Sequence, residues 1–141
     1  MFGGVSGHAG LFSNAGDIAV IMQMLLNGGS YNGKKYLNPQ TIELFTAYHS
    51  AVSRRGYGFD KPEKDNATRS DSYPCLLSSP LSFGHTGFTG TCAWADPENH
   101  LVFVFLSNRV YPQGGDNKKL LTMNIRGKIQ DAVYKAMGIG E

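Results

Sequence analysis

The sequence predicts an α+β fold, an antiparallel sheet with flanking helices, on three observations. Leu81 to Thr86, Thr91 to Ala95 and Leu101 to Leu106 are successive strand candidates, joined by a glycine-rich turn and by Asp96-Pro97-Glu98-Asn99. Connections that short join antiparallel neighbours, because a parallel pair needs a crossover of a dozen residues or more. Helical apolar periods stand before and after this block rather than between its strands, which separates α+β from an alternating α/β order.

The first helix starts at Asn14, an N-cap with Asp17 three residues on. Ile18, Ile21, Met22 and Leu25 then form an i, i+3, i+4, i+7 stripe that Gly28-Gly29 ends. The preceding Gly3-Gly4-Val5-Ser6-Gly7-His8-Ala9-Gly10 is too rich in glycine for a regular element and reads as tight loop. Tyr31-Asn32-Gly33-Lys34 carries an Asn-Gly turn, and Asn38-Pro39 offers a cap and a first-turn proline for a second short helix through Leu44.

Tyr57 to Phe59 reads as a brief strand, and Lys61 to Ser82, with its Asp, Asn, Ser, Pro and Lys and no sustained period, as a surface excursion. Leu101 to Leu106 is apolar on both pleat faces, which predicts a central strand covered on each side. From Lys118 to Met137 one closing helix is expected, with Leu121, Ile125, Ile129, Ala132, Val133 and Ala136 inward and Lys128, Asp131 and Lys135 outward. Gly127 inside it costs about 1 kcal/mol relative to alanine, so packing must hold that helix. One domain is expected for 141 residues, with 1–50 a loop and helical part and 51–141 the meander and closing helix.

Composition excludes some functions. The formal charge is +2, and Arg54-Arg55 and Lys118-Lys119 lie far apart, so no continuous basic footprint for nucleic acid exists. No apolar run reaches the roughly 20 residues of a membrane helix. Cys75 and Cys92 are too few and too distant for a zinc ribbon or a Cys-x-x-Cys pair and are expected to be small buried residues. His8, His49, His85 and His100 have no metal-ligand spacing, and Gly4, Gly7 and Gly10 do not make a dinucleotide fingerprint, so neither metal nor cofactor is expected. Gly4-Val5-Ser6-Gly7-His8 is not a nucleophile elbow. Asn66-Ala67-Thr68 matches a glycosylation sequon, a pattern short enough to arise often by chance.

The segment that could carry chemistry is Phe83-Gly84-His85-Thr86-Gly87-Phe88-Thr89-Gly90-Thr91. Glycines remove the Cβ atoms that would hold a ligand off a strand edge, and an exposed edge offers N–H groups suited to an oxyanion or an acyl amide. Read from composition alone, the glycines serve equally as turn formers around a half-buried histidine.

His85-Thr86-Gly87, followed at hairpin distances by two strands and a terminal helix, resembles the third signature of the penicillin-recognising serine hydrolases. That family includes class C β-lactamases, D-alanyl-D-alanine peptidases and related esterases. Gly7-His8-Ala9-Gly10-Leu11-Phe12-Ser13 is similar to the loop before a helix of these enzymes, and Leu106-Ser107-Asn108-Arg109-Val110-Tyr111-Pro112 to the exit from their last strand. The resemblance implies that the chain is the C-terminal part of a β-lactamase/transpeptidase-like fold.

It also implies roles. His85 takes the position of the lysine or histidine that steers the substrate carboxylate, Thr86 offers that carboxylate its hydroxyl, and Gly87 permits close approach. The backbone N–H of Phe88 is one of two oxyanion donors. Asn108 and Arg109 would face an anionic substrate, or equally form a strand-ending turn. If His85 acts as a cation, its unperturbed pKa near ~6.5 makes binding weaken above neutrality.

The family's nucleophile lies in Ser-x-x-Lys, and no serine here has lysine three positions on. Its Tyr-x-Asn or Ser-x-Asn motif is not found in the required place. Loss of such a serine lowers kcat on the order of 10⁶-fold, so the chain is expected to be inactive alone and to need the N-terminal half of the same protein. The resemblance further implies a small-molecule or peptide acyl substrate and a periplasmic or secreted location. The alternative is a non-catalytic penicillin- or peptidoglycan-binding sensor module. Without N-terminal strands, the open edge of Leu101 to Leu106 is expected to be covered by the missing half, by a second copy in a homo-oligomer, or by rearrangement.

Overall fold

The computed structural model describes residues 9–112, 114 and 118–140. The expectations placed on Gly3 to His8 therefore lie outside the described residues.

Helix α1 (Ala15–Leu26) begins where expected: Asn14 Oδ1 accepts from the Asp17 N–H at 3.0 Å, and its Nδ2 donates to the Asp17 carboxylate at 2.8 Å. Gly28 and Gly29, at φ 67° and 93°, turn the chain left-handed and stop the helix. Strands β1 (Ser30–Tyr31) and β2 (Lys34–Lys35) form a hairpin over Asn32 and Gly33, both at positive φ, as a two-residue type I′ turn requires. Helix α2 (Pro39–Thr46) follows, with proline in its first turn but no side-chain bond from Asn38.

Strands β3 (Phe83–Thr86), β4 (Cys92–Asp96) and β5 (Leu101–Phe105) form an antiparallel sheet in the order β3-β4-β5, with His85 opposite Ala93 and Ala93 opposite Val104. The pleat sends alternate residues to opposite faces. On one face Phe83 and Ala95 pack with Met22, Ile18 and Leu25 of α1. On the other Cys92, Trp94 and Phe103 pack with Tyr73, Phe105 and Val133. Burial of a large apolar side chain contributes about 1.5–3 kcal/mol, so these two clusters clamp the sheet between helices. The α+β expectation holds. Among the described residues β5 is an edge strand rather than a central one, although both of its faces are covered.

Other expectations are corrected as well. Tyr57 to Phe59 is a turn, closed by Gly56 N–H donating to Phe59 O at 3.0 Å with Gly58 at φ 78°; only Asp60 pairs, in a bridge to Gly84. The stretch from 61 to 82 is not a surface excursion, since Lys61, Asn66, Cys75, Ser78, Ser79 and Ser82 are buried. The backbone satisfies the buried amide of Asn66, which donates to Cys75 O and accepts from Tyr73 N–H, each at 2.7 Å. The sequon asparagine is thus a buried structural residue.

The closing helix is two, α3 (Lys119–Thr122) and α4 (Ile125–Ala136), broken by Asn124 at φ 47°. Asparagine tolerates this left-handed conformation better than most residues. The inward face of α4 is Gly127, Gln130 and Tyr134, while Leu121, Ile129, Ala132 and Ala136 are exposed. The polar residues win the inward positions because Tyr134 reaches the buried Asp96 and because Gly127 lies against the Pro74 carbonyl, where a Cβ would come within 2.8 Å. No helix among the described residues is long and apolar enough to cross a membrane.

Candidate active site

The site is built on the outer edge of β3. Asp60 fills part of that edge: its N–H donates to Gly84 O at 2.7 Å and its carbonyl accepts from Gly84 N–H at 3.0 Å. Gly84 is needed here, because a Cβ would overlap the Ala93 carbonyl and stand 2.8 Å from the Trp94 Cα.

Alternation in β3 puts His85 on the α1 face and Thr86 on the α4 face. His85 is exposed and lines a recess of about 400 Å³ with Leu11, Ser13, Ile18, Thr91 and Val104. Its Nδ1 lies 2.7 Å from Thr86 O, and its Nε2 3.3 Å from Arg55 Nη1. Thr86 Oγ1 is 3.4 Å from the Tyr73 hydroxyl, which donates to the Asp60 carboxylate at 2.7 Å. Burial pushes the Tyr73 phenol above its usual range, the Thr86 contact opposes this, and Asp60 adds to it, so Tyr73 remains a donor.

Asp60 is 2% exposed and is ion-paired with Arg55 at 3.2 Å and Arg54 at 3.6 Å. Arg54 also reaches Glu63 at 3.1 Å and stacks on the Tyr73 ring at 4.2 Å. Arg55, Asp60 and Tyr73 therefore belong to the surroundings of His85-Thr86, and none was singled out from sequence. No motif marks them; the adjacent arginines were the one visible sign, and their acidic partner becomes evident only once residue 60 is paired with residue 84.

The turn after β3 is held from several sides. Gly87 N–H donates to Thr91 O at 2.8 Å, and the space beside Gly87 Cα is taken by Thr91 Oγ1. Arg109 Nε donates to Phe88 O at 2.8 Å with its guanidinium 4.7 Å from the Phe88 ring, and Arg109 N–H donates to Thr89 O at 2.9 Å. Arg126 of α4 donates to Gly90 O and Thr91 O at 3.2 and 3.3 Å. Asn108 Oδ1 accepts from Val110 N–H at 3.3 Å, a local turn. Thus Arg109 fastens the exit of β5 to the Phe88 turn, while Asn108 bonds only within that exit. Phe88 is exposed, and its N–H has no acceptor among the described residues.

Two literal motifs lie elsewhere, and Ser30-Tyr31-Asn32, a Ser-x-Asn, is taken up in the β1–β2 hairpin. Tyr36-Leu37-Asn38 reads Tyr-x-Asn, yet Tyr36 is exposed and lines a recess with Val20, Ile21 and Met24 of α1, apart from the residues of α1 that pack on the sheet. Cys75 and Cys92 are free and buried, with burial pushing the Cys92 thiol up to about 11 despite the nearby Arg126 charge.

An ordered glycine-rich edge carrying His-Thr-Gly agrees with the result of comparison: the family described as Beta-lactamase matches residues 2–125. The chain belongs to the Beta-lactamase family. Within that family's neighbourhood it is 43% identical over 132 residues to a protein of Escherichia coli (strain K12) named "Putative D-alanyl-D-alanine carboxypeptidase". A protein of the same name from Salmonella enteritidis PT4 (strain P125109) is 39% identical over 132 residues. Each alignment covers 94% of this chain, and the chain spans 30% of the length of either relative.

Proposed function

We propose that this chain is the substrate-strand portion of a serine hydrolase that acts by acyl transfer on D-alanyl peptides, with β-lactams and small esters as chemically related substrates. The observation that carries the reading is the Phe88 N–H, which has no acceptor among the described residues and sits on a turn fastened by Arg109, Arg126 and Thr91. A donor held still and unpaired is what stabilisation of a developing oxyanion needs. Family membership and the names of the two relatives support the reaction class.

In this reading the serine and its lysine come from another stretch of polypeptide, so the chain alone does not turn over. The outer edge of β5, which pairs with no strand among the described residues, is assigned to that stretch. A periplasmic or secreted location follows from cell-wall peptides as substrate.

Covalent labelling with a fluorescent penicillin tests the proposal. The 141-residue chain alone is expected to take no label, and a longer protein that includes a Ser-x-x-Lys segment is expected to take one. Label on the chain alone, or none on the longer protein, would overturn the assignment and leave the non-catalytic binding module as the better description.

A further inference from the structure

At the other end of β3 from the Phe88 turn, a recess of about 600 Å³ opens between α1, α2 and the segment that leads into Phe83. That volume falls within the roughly 300–1,000 Å³ of small-molecule sites. Leu25, Ile42, Pro80, Leu81 and Phe83 make much of its wall apolar. Lys61 also lines it and is 3% exposed.

A buried ammonium is ordinarily paired, because an isolated charge gives up its hydration without return. That of Lys61 has three donors, and one of them reaches Ser82 O at 3.0 Å. The Tyr48 ring stands 4.6 Å away. No carboxylate among the described residues is ion-paired with it. Asp96 attracts it through space, but the Asp96 oxygens are already engaged by Ser79, Tyr134 and Asn99. Burial lowers the Lys61 pKa to about 8, which still leaves the amine protonated for the most part at pH 7. A cation without a paired counter-charge, set in an apolar wall, is complementary to an anion that carries an apolar body.

We propose that this recess is a second binding site, one that takes a small monocarboxylate with an apolar tail: the carboxylate pairs with Lys61, and the tail lies against Leu25, Ile42 and Phe83. The site is separate from His85 and the Phe88 turn and does not depend on the acyl-transfer reading. The charged and titratable groups around Lys61 are Glu43, Tyr48, Lys64 and Asp96. Glu43 is exposed, and Lys64 donates to Ser50 O and Ala51 O. Burial and Glu63 raise the Tyr48 phenol, so it stays neutral to pH 9.5. The carboxylate therefore loses its partner as Lys61 gives up its proton, and binding weakens as pH rises past 8.

Methyl NMR of the isotopically labelled 141-residue chain tests this, with titrations of octanoate and octanamide at pH 7 and of octanoate at pH 9.5. Octanoate is expected to bind roughly tenfold or more tightly than octanamide, with shifts at Leu25, Ile42 and Leu81 and none at Leu11 and Val104 beside His85. Octanoate binding should weaken by roughly tenfold at pH 9.5, and Lys61→Met should abolish the preference for the acid. Leu81→Asp places a like charge at an exposed position of the wall; it should weaken octanoate by a similar factor and keeps the question open to test if Lys61→Met does not fold. Equal binding of acid and amide, shifts confined to Leu11 and Val104, octanoate binding indifferent to Leu81→Asp, or no binding at all would each overturn this inference and leave the acyl-transfer reading standing.

Discussion

The hydroxyl of Tyr134 donates to Oδ2 of Asp96 at 2.6 Å, with both residues buried. This bond ties α4 to the end of β4. The same carboxylate accepts from Ser79 N–H at 3.2 Å and from Asn99 Nδ2 at 2.9 Å, so it is also the point where the segment before β3 is fastened.

Tyr134→Phe removes one donor from a charged acceptor and should lower stability by about 1.5–3 kcal/mol at pH 7. Burial alone would raise the Asp96 carboxyl, but the bonds from Ser79, Tyr134 and Asn99 bring it below its ordinary 3.8. A carboxylate depressed in the fold stabilises above its unfolded pKa and loses that contribution as pH falls through the folded value. The difference between wild type and Tyr134→Phe should therefore narrow below pH 4. Urea unfolding at pH 7 and pH 3 measures it, and equal stabilities at pH 7 would refute the argument.

Lys61 is 3% exposed, its Nζ donates to Ser82 O at 3.0 Å, and it stands 4.6 Å from the Tyr48 ring. Burial lowers its pKa from 10.5 to about 8, against the attraction of Asp96. Between pH 8 and 10.5 the unfolded chain therefore holds a proton that the fold has released, and this group's contribution to stability rises with pH. At 1.36 kcal/mol per unit the rise is about 3 kcal/mol. The raised phenols and thiols act oppositely in the same range, so the quantity to measure is wild type minus Lys61→Met. That difference should move toward wild type as pH rises from 8 to 10.5, and a level difference would show that Lys61 is not desolvated.

Gly84→Ala should destabilise the chain by about 1–3 kcal/mol, because the added methyl has backbone on two sides and no flexible neighbour to displace. Thermal unfolding reads this directly. An unchanged Tm would mean that β3 and β4 sit further apart than the structure has them.

Much of the fold could be read from the chain. Asn14, Asp17 and the Gly28-Gly29 pair bounded α1 because caps and left-handed glycines are local devices, and Asn32-Gly33 marked its hairpin for the same reason. The three strands followed from alternation and short turns. What escaped was decided by partners distant in sequence. Asn66 and Ser79 looked like solvated polar residues, since nothing nearby shows that Tyr73 and Asp96 will meet them inside. The inward face of α4 differs from the apolar stripe because Tyr134 outranks alanines once a buried carboxylate waits below. At the site, His85, Thr86, Gly87 and Phe88 could be singled out as a local cluster, whereas the Arg55, Asp60 and Tyr73 group exists only through the pairing of residue 60 with residue 84.

That pairing has a further effect. By occupying both main-chain groups of Gly84, Asp60 blocks strand addition to β3 at that residue. An extended segment could add to this edge only beyond Gly84, from Thr86 onward. The same pair keeps part of an otherwise open sheet edge from joining a strand of another molecule.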